Sequence, residues 1–268
     1  GLALGWWQTL RTQAESRAQM VARTELRAQQ LSDAMNGQVE ALLAALDVGL
    51  QGLRRAWAAD PAAFDRVARE ILETLPQGAA SHVTVTDADG NTLYNSLGAI
   101  EVVNVADRAH FRVHRDGVDR LHVGEAVRSR LAGDRWTVIV NRPLLERGRF
   151  AGTIDIAVDT GFLAARLAAL ALLRDDVVAL VHPSGHVIAR SRDHALAVGR
   201  QLPPERPFLR DAKADRGLFR VAGEVDGVAR IYGWRRLSGA GLVSVVGLAE
   251  QQTLAPLVAR QDQERRVL

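Results

Sequence analysis

The 268-residue sequence contains no cysteine and a single lysine, Lys213. Without cysteine there are no disulfides, no thiolate nucleophile and no Cys-ligated zinc or iron–sulfur site. Lys213 is followed by alanine, so the sequence also has no Walker phosphate loop, which requires Gly-Lys-Ser/Thr. Several classes of nucleotide hydrolase, metalloprotein and thiol enzyme are therefore excluded, and the lack of cysteine is compatible with an oxidising compartment.

The sequence also has almost no excess of charge of either sign. The 34 basic and 31 acidic residues leave a net charge of +3, so nucleic acid is not an expected partner. Apolar residues make up 47% and charged residues 24%, which is typical of a folded, soluble chain of one or two domains. The apolar stretch 1–7 is too short for the about 20 residues of a membrane helix. Its two tryptophans predict the end of a truncated transmembrane helix, and residues 261–268 suggest a second such junction.

The region from Trp6 to Ala59 has helix-forming composition and no proline. Apolar residues recur there at intervals of three and four and predict one buried stripe. They are Leu31, Met35, Val39, Leu42, Leu46, Leu50, Leu53 and Trp57. The part upstream of Leu31 lacks this stripe. The pattern is equally compatible with an upstream part that projects as a stalk or pairs with a second copy, and with a helix packed on its own domain along its whole length. A second short helix is predicted over residues 62–75.

After Pro76 the apolar period changes to two, which indicates strands, and a block of sequence recurs 95 residues later. The matching residues are Val83, Val85, Gly90, Leu93 and Ser96 in the first copy and Val178, Leu180, Gly185, Ile188 and Ser191 in the second. In each copy this block predicts a β-hairpin. A loop-rich stretch follows the hairpin, and then two β-patterned strands. The second pair is preceded by an extra strand at 218–222, and a helix at 162–173 joins the copies.

These patterns predict an α+β fold in which a long N-terminal helix is followed by two tandem modules with antiparallel sheets. The expected divisions are 1–75 for the helices, 76–173 for the first module, 174–255 for the second and 256–268 for a C-terminal helix leading to the membrane.

Seven segments of the first copy, in this order and spacing, resemble double Cache domains. They are Asp87–Gly90, Ala106–His114, Leu121–Arg130, Gly133–Trp136, Asn141–Pro143, Gly148–Gly152 and Asp159–Phe162. Double Cache domains are tandem PAS-like extracytoplasmic sensors of bacterial histidine kinases, diguanylate cyclases and chemoreceptors. The resemblance covers nearly the whole chain and implies that a small molecule binds in the membrane-distal first module. The aromatic-rich motif by which some members bind amines or amino acids is absent, so the ligand class is not implied.

The residues themselves favour an anionic or amino-acid-like ligand. Arginine forks bind carboxylate and phosphate oxygens in a bidentate manner, aromatic rings provide an apolar wall, and an acid in an apolar strand faces a pocket or an arginine. The predicted ligand-binding residues are Arg108, Phe111, His114, Arg130, Trp136, Arg142 and Asp155.

Each of these residues also has a simpler interpretation. An arginine commonly lies on the solvated surface, and Phe111 or Trp136 fits a core as well as a binding site. His110 and His114 are four residues apart, but no third metal ligand is apparent nearby. The stretch Asp87–Asn91 lacks the later glutamate of a calcium loop, so it is interpreted as a hairpin turn. No metal or cofactor is expected.

The resemblance implies a periplasmic sensor domain rather than an enzyme. It would bind a small molecule, connect through flanking transmembrane helices to a cytoplasmic kinase or cyclase, and form a homodimer through the N-terminal helix. Two alternatives stay open. A soluble enzyme with an unrecognised carboxylate site is one, although the Gly-x-Ser-x-Gly, His-Glu-x-x-His and dinucleotide-binding motifs are absent. A structural dimerisation stalk is the other.

Overall fold

The computed structural model of the protein describes residues 2–98, 102–170, 172–251, 257, 259–260 and 262–263. The predicted C-terminal helix at 256–268 therefore lies largely outside the described residues. No helix in the described ranges is both long enough and apolar enough to span a bilayer.

Helix α1 spans Leu2–Ala59 and contacts both modules. Its buried residues begin at Thr24, while Trp6 and Trp7 are 71% and 57% exposed. The predicted apolar stripe lies against the core, with Leu46, Leu50 and Leu53 almost fully buried. The helix is therefore not packed on its own domain along its whole length, contrary to one of the arrangements expected from the sequence. The N-terminal part is exposed and the rest packs on the protein's own sheets.

Helix α1 ends before Pro61, as the sequence predicts. The side chain of Asp60 accepts a hydrogen bond from the Ala62 backbone N–H at the start of a single 3₁₀ turn, Pro61–Ala63. Helix α2 follows at Phe64–Thr74 and returns along α1. The buried Phe64 ring lies edge-on to Trp57, with centroids 5.1 Å apart. The two helices therefore form an apolar corner next to the first sheet.

The first module contains a five-stranded antiparallel sheet in the order β2-β1-β5-β4-β3. Its strands are β1 Ala80–Thr86, β2 Thr92–Asn95, β3 His122–Arg128, β4 Trp136–Glu146 and β5 Arg149–Asp159. A short helix, α3 (Ala109–Arg112), lies in the long connection between β2 and β3. Helix α4 (Thr160–Ala168) then leads to the second module, and it ends five residues before the predicted limit at 173.

The second module repeats this topology with a sheet in the order β7-β6-β10-β9-β8. Its strands are β6 Val177–Val181, β7 Val187–Arg190, β8 Arg216–Ala222, β9 Ala229–Arg236 and β10 Val243–Ala249. Two short helices, α5 (His194–Ala197) and α6 (Pro207–Arg210), lie in the connection between β7 and β8.

The internal repeat is confirmed down to individual hydrogen bonds. The Ser96 hydroxyl accepts a bond from the Val83 backbone N–H at 2.9 Å, and the Ser191 hydroxyl accepts the same bond from Val178 at 2.9 Å. The structure adds β3, the first-module counterpart of the extra strand predicted for the second module. Its pairing with β4 is irregular between Val123 and Ala126, which interrupts the two-residue period that marks a strand in sequence.

The main core lies between α1 and the apolar faces of both sheets. The first sheet contributes Val83, Val140 and Ile156 to this face, and the second contributes Val178 and Val246. Side chains alternate along a strand, so the neighbouring residues point to the opposite face of each sheet. That opposite face lies under the long connections that carry α3 and α6.

Candidate functional site

A cleft opens on the face of the first sheet that is turned away from α1, with about 460 Å³ of space when the open solvent at its mouth is included. Its walls come from β1, β4 and β5, from the connection that carries α3, and from the turn after β3. The lining residues are His82, Thr84, Thr86, Thr92, Val105, Arg108, His110, Val127, Arg128, Ser129, Arg130, Leu131, Thr137, Ile139 and Asp155. We refer to this space as the first cleft. Most of its side chains are polar or charged.

Asp155 lies on the floor of the first cleft and is 3% exposed. Its two carboxyl oxygens accept hydrogen bonds from Asn141 Nδ2 at 2.9 Å and Thr84 Oγ1 at 3.3 Å. Burial raises the pKa of the Asp155 carboxyl, and these hydrogen bonds only partly oppose that effect. A cationic group bound beside it would favour the ionised form, so this acid suits an ammonium-bearing ligand.

Asn141 joins this acid to the connection above it. Its Nδ2 donates both to Asp155 and to the His110 carbonyl oxygen, each at 2.9 Å. Its Oδ1 is therefore the acceptor for His114 Nε2, at 3.0 Å, which places the His114 proton on Nε2. The floor of the cleft and the α3 segment are thus held together by one fully buried amide.

Arg108 is the arginine of the first cleft with the fewest protein partners. Among the described residues, its one hydrogen bond runs from Nη2 to the Arg128 carbonyl at 3.5 Å, and it makes no ion pair. Arg130 instead forms a bidentate pair with Asp107, at 2.9 and 2.8 Å. These bonds lower the pKa of Asp107 to about 2. A guanidinium with free donors is the group that a ligand carboxylate would use, so Arg108 is the better anion site.

Two histidines of the first cleft are neutral at physiological pH. His82 is 3% exposed and His110 is 9% exposed. Burial lowers the pKa of each imidazole from 6.5 to about 4. They therefore contribute hydrogen-bonding capacity to the cleft and no charge, so the arginines supply its positive charge and Asp155 is the carboxyl group of its lining.

The structure brings Arg108, Arg130 and Asp155 to the first cleft and places the other four predicted residues elsewhere. Phe111 is fully buried and packs edge-on against Phe150, with centroids 5.3 Å apart. His114 is fully buried behind Asn141. The Trp136 ring lies beneath the Arg128 guanidinium and next to Gly199 of the second module.

Arg142 lies on the opposite face of the first sheet from the cleft. It follows Asn141 on β4, and consecutive strand residues point to opposite faces. Its guanidinium binds Asp47 of α1, with Nη2 to Oδ2 at 3.0 Å, and Asp119 at 2.9 Å. The arginine that the sequence suggested as a ligand contact is thus a link between sheet and helix.

Several lining residues were missed as site candidates, above all His82, Thr84 and Thr86 of β1. The same alternation that predicted the strand places these three on one face. Polar residues on an otherwise apolar, central strand would have been the signal. His110 was weighed with His114 as a metal pair but not chosen as a ligand contact, and of these two histidines only His110 lines the cleft. Within the described ranges, no three His, Asp or Glu side chains are arranged to hold a metal ion.

No protein-family model matches the sequence, and no curated protein matches it. Solved structures share its fold. The extracellular domain of a candidate histidine kinase, rpHK1S-Z16, is 23% identical with a TM-score of 0.77, over 87% of this chain and 98% of that one. The ligand-binding domain of the Pseudomonas fluorescens chemoreceptor CtaA, solved with L-isoleucine, is 14% identical with a TM-score of 0.68, over 90% and 98%. The ligand-binding domain of Mlp24, solved with asparagine, is 16% identical with a TM-score of 0.61, over 89% and 97%.

These similarities span nearly the full length of both chains in each pair. The protein therefore has the fold of the extracellular and ligand-binding domains of signalling receptors, which confirms the long helix and the two tandem PAS-like modules expected from the sequence.

Proposed function

We propose that this chain is the ligand-sensing domain of a transmembrane signalling receptor, and not an enzyme, and that the first cleft binds a small molecule with a carboxylate. An amino acid is the class that fits best. The observation that carries the proposal is the presence of Arg108, with free donors, and the buried acid Asp155 on the same cleft. Proteins with this fold have been solved with isoleucine and with asparagine.

In this arrangement Arg108 binds the ligand carboxylate and Asp155 accepts from its ammonium group. An arginine fork favours two parallel hydrogen bonds to a carboxylate. The ammonium replaces the solvation that Asp155 lacks, which keeps the acid ionised. The polar lining from Thr84, Thr86 and Thr137 would orient the ligand through hydrogen bonds.

The signal would leave the first cleft through β4. Asn141 contacts Asp155 on the cleft side, and the next residue, Arg142, binds Asp47 of α1 on the other side. A ligand that moves Asp155 or the α3 segment would shift the strand to which α1 is anchored. Ligand can bias such a two-state arrangement only through different affinities for the two states. We place the receptor domain in the periplasm, with α1 carrying the signal toward a cytoplasmic kinase or cyclase, and the exposed first part of α1 as the segment that pairs in a homodimer.

The experiment is isothermal titration calorimetry with the common amino acids and small organic acids. We expect one of them to bind the unaltered protein, and Arg108→Gln and Asp155→Asn each to weaken that binding by about tenfold or more. Arg66→Gln is the matched control, since that arginine lies exposed on α2, paired with Glu70 and away from both the first cleft and the Arg142 link, so its loss should leave the affinity nearly unchanged.

Failure of every amino acid and organic acid to bind would refute the proposal. So would turnover of a small molecule by the isolated chain, because that outcome favours an enzyme. Sedimentation at several protein concentrations tests the homodimer separately.

A further inference from the structure

A second cleft, with about 540 Å³ of space when the open solvent at its mouth is included, lies on the second sheet in the position that the first cleft has on the first sheet. It opens on the face away from α1, under the connection between β7 and β8. Aromatic and aliphatic side chains form most of it, with Phe208, Phe219 and Tyr232 on one side. Two arginines, Arg190 and Arg206, also line it.

The two clefts correspond residue by residue along β1 and β6 and at the start of β2 and β7. On these strands, four pairs of lining residues differ by the 95-residue repeat. The pairs are His82 and Val177, Thr84 and Ala179, Thr86 and Val181, and Thr92 and Val187. A polar residue of the first cleft is replaced by an aliphatic one in every pair.

Strand pairing extends the correspondence to the central acid. Asp155 pairs with Thr84, and Val245 pairs with Ala179, the Thr84 counterpart. Val245 lines the second cleft just as Asp155 lines the first. The second cleft therefore lacks the acid that would accept a hydrogen bond from a ligand ammonium group. An apolar part of a ligand would contact Val245 there instead.

One charged position is the same in both clefts. Arg108 directly precedes α3, and Arg206 directly precedes α6, with an extended backbone at each position. Both side chains line their clefts. Two residues further on, His110 of the first cleft corresponds to Phe208 of the second. The arginine is thus retained while the surroundings change from polar to apolar.

We propose that the second cleft is a separate binding site for a small carboxylate with an apolar body, either aromatic or branched aliphatic. The Arg206 guanidinium binds the carboxylate. It lies 5.6 Å from the centroid of the Phe219 ring, which in turn stacks on Tyr232 with centroids 4.8 Å apart and an interplanar angle of 6°. The apolar body lies between this aromatic pair and the aliphatic residues of β6 and β10. The site does not depend on the first cleft.

Glu224 is the protein group that competes with such a ligand. Arg206 Nη2 donates to Glu224 Oε1 at 2.9 Å, and the Glu224 side chain is 45% exposed while that of Arg206 is 11% exposed. A ligand carboxylate would exchange with this exposed acid at a largely buried guanidinium. Glu224→Gln removes the competing charge, so we expect it to tighten binding.

Calorimetry with phenylacetate and 4-methylpentanoate as probes tests the proposal on the full chain. We expect both to bind, phenylacetamide to bind at least about tenfold more weakly because it lacks the charge, and Arg206→Gln to lose a similar factor. Arg108→Gln is the matched control at the equivalent position of the first cleft and should leave phenylacetate binding unchanged. Ala179→Leu fills the second cleft and should abolish binding, with circular dichroism to confirm that the variant folds.

The proposal is overturned if neither probe binds at millimolar concentration, or if Ala179→Leu folds and still binds phenylacetate with the original affinity. It is also overturned if Arg108→Gln abolishes phenylacetate binding and Arg206→Gln does not, because the probes would then occupy the first cleft. The amino-acid titrations of the first cleft depend on Arg108 and not on Arg206, so the two proposals can fail separately.

Discussion

The two sheets of this protein share their strand order and the place of their clefts, yet the faces that line the clefts have opposite character. Thr84, Thr86 and Asp155 line the first cleft, whereas Ala179, Val181 and Val245 occupy the equivalent places in the second. The faces toward α1 are apolar in both sheets. Folding therefore constrains the α1 side, and the cleft side is free to differ in its chemistry.

The α1 side itself differs at one central position. Val140 of β4 corresponds to Gly233 of β9. Val140 pairs with Ile156, the partner of Val83, and Gly233 pairs with Val246, the partner of Val178. Val83 and Val178 are equivalent residues of the repeat. A Cβ atom on Gly233 would lie 2.5 Å from the backbone carbon of Ala28 in α1. The helix approaches the second sheet at a distance that only glycine permits, while the first sheet meets it through a side chain.

The largest effect is expected from giving the second sheet the residue of the first. Gly233→Val should destabilise the protein by about 3 kcal/mol or more, because the contacted atoms are helix backbone and cannot rotate away. Urea denaturation measures the change. Gly37→Ala is the control, since nothing lies within 4 Å of that added Cβ, and it should stabilise α1 by up to about 1 kcal/mol. Equal stability of Gly233→Val and the unaltered protein would show that α1 does not pack this closely.

The next largest effect concerns acid. Burial lowers the pKa of His82 and of His110 from 6.5 to about 4, so the folded protein binds fewer protons than the unfolded chain between these values. Stability is full above pH 6.5 and falls as the pH decreases toward 4, by about 2–3 kcal/mol for each histidine. Burial raises the pKa of Asp155, so the contribution of this carboxyl to stability is lost as the pH rises and not as it falls.

The second cleft supplies the substitutions that test this acid effect. It has valine and phenylalanine at the two corresponding positions, so His82→Val with His110→Phe gives the first cleft the residues of the second. Urea denaturation at several pH values should show a smaller loss of stability on acidification in this double variant. An unchanged pH dependence would mean that other groups control the acid sensitivity.

The smallest effect distinguishes the two anchors of α1, by which we mean the arginine–aspartate pairs that link this helix to the two sheets. Arg142 and Arg235 occupy equivalent positions on β4 and β9, and each faces an aspartate of the helix, Asp47 and Asp33. The first pair is bidentate with the arginine 14% exposed, whereas Arg235 is 3.8 Å from Asp33, too far for a hydrogen bond. We expect Arg142→Gln to cost about 1–2 kcal/mol and Arg235→Gln less than about 1 kcal/mol. Equal losses in thermal denaturation would contradict this difference between the anchors.

Much of the fold could be predicted because its signals are local. The long helix follows from composition and one apolar stripe, and the tandem modules follow from a repeat that preserves Ser96 and Ser191 as partners of equivalent backbone amides. Strand β3 was not apparent, because its irregular pairing with β4 interrupts the two-residue period. The exposed and packed parts of α1 also could not be separated, since only contact with the sheets distinguishes them.

The site was predicted less completely than the fold. Residue type alone suggested Arg108, Arg130, Arg142 and Asp155 equally, and it gave no reason to prefer His82 or Thr84 over Phe111. Which arginine keeps free donors depends on partners distant in sequence, such as Asp107 for Arg130. The face on which a strand residue lies depends on pairing with its neighbours.

By itself, then, the sequence determined the long helix, most of the strands, the duplication and the chemical classes that cannot be present, because these depend on composition and on short-range periodicity. Only the tertiary structure decided that Arg142 anchors a helix while Arg108 lines a cleft. It also decided that the two copies present a polar and an apolar version of the same cleft. The physical reason is that burial, strand register and ion pairing arise between residues far apart in the chain, and no local pattern specifies them.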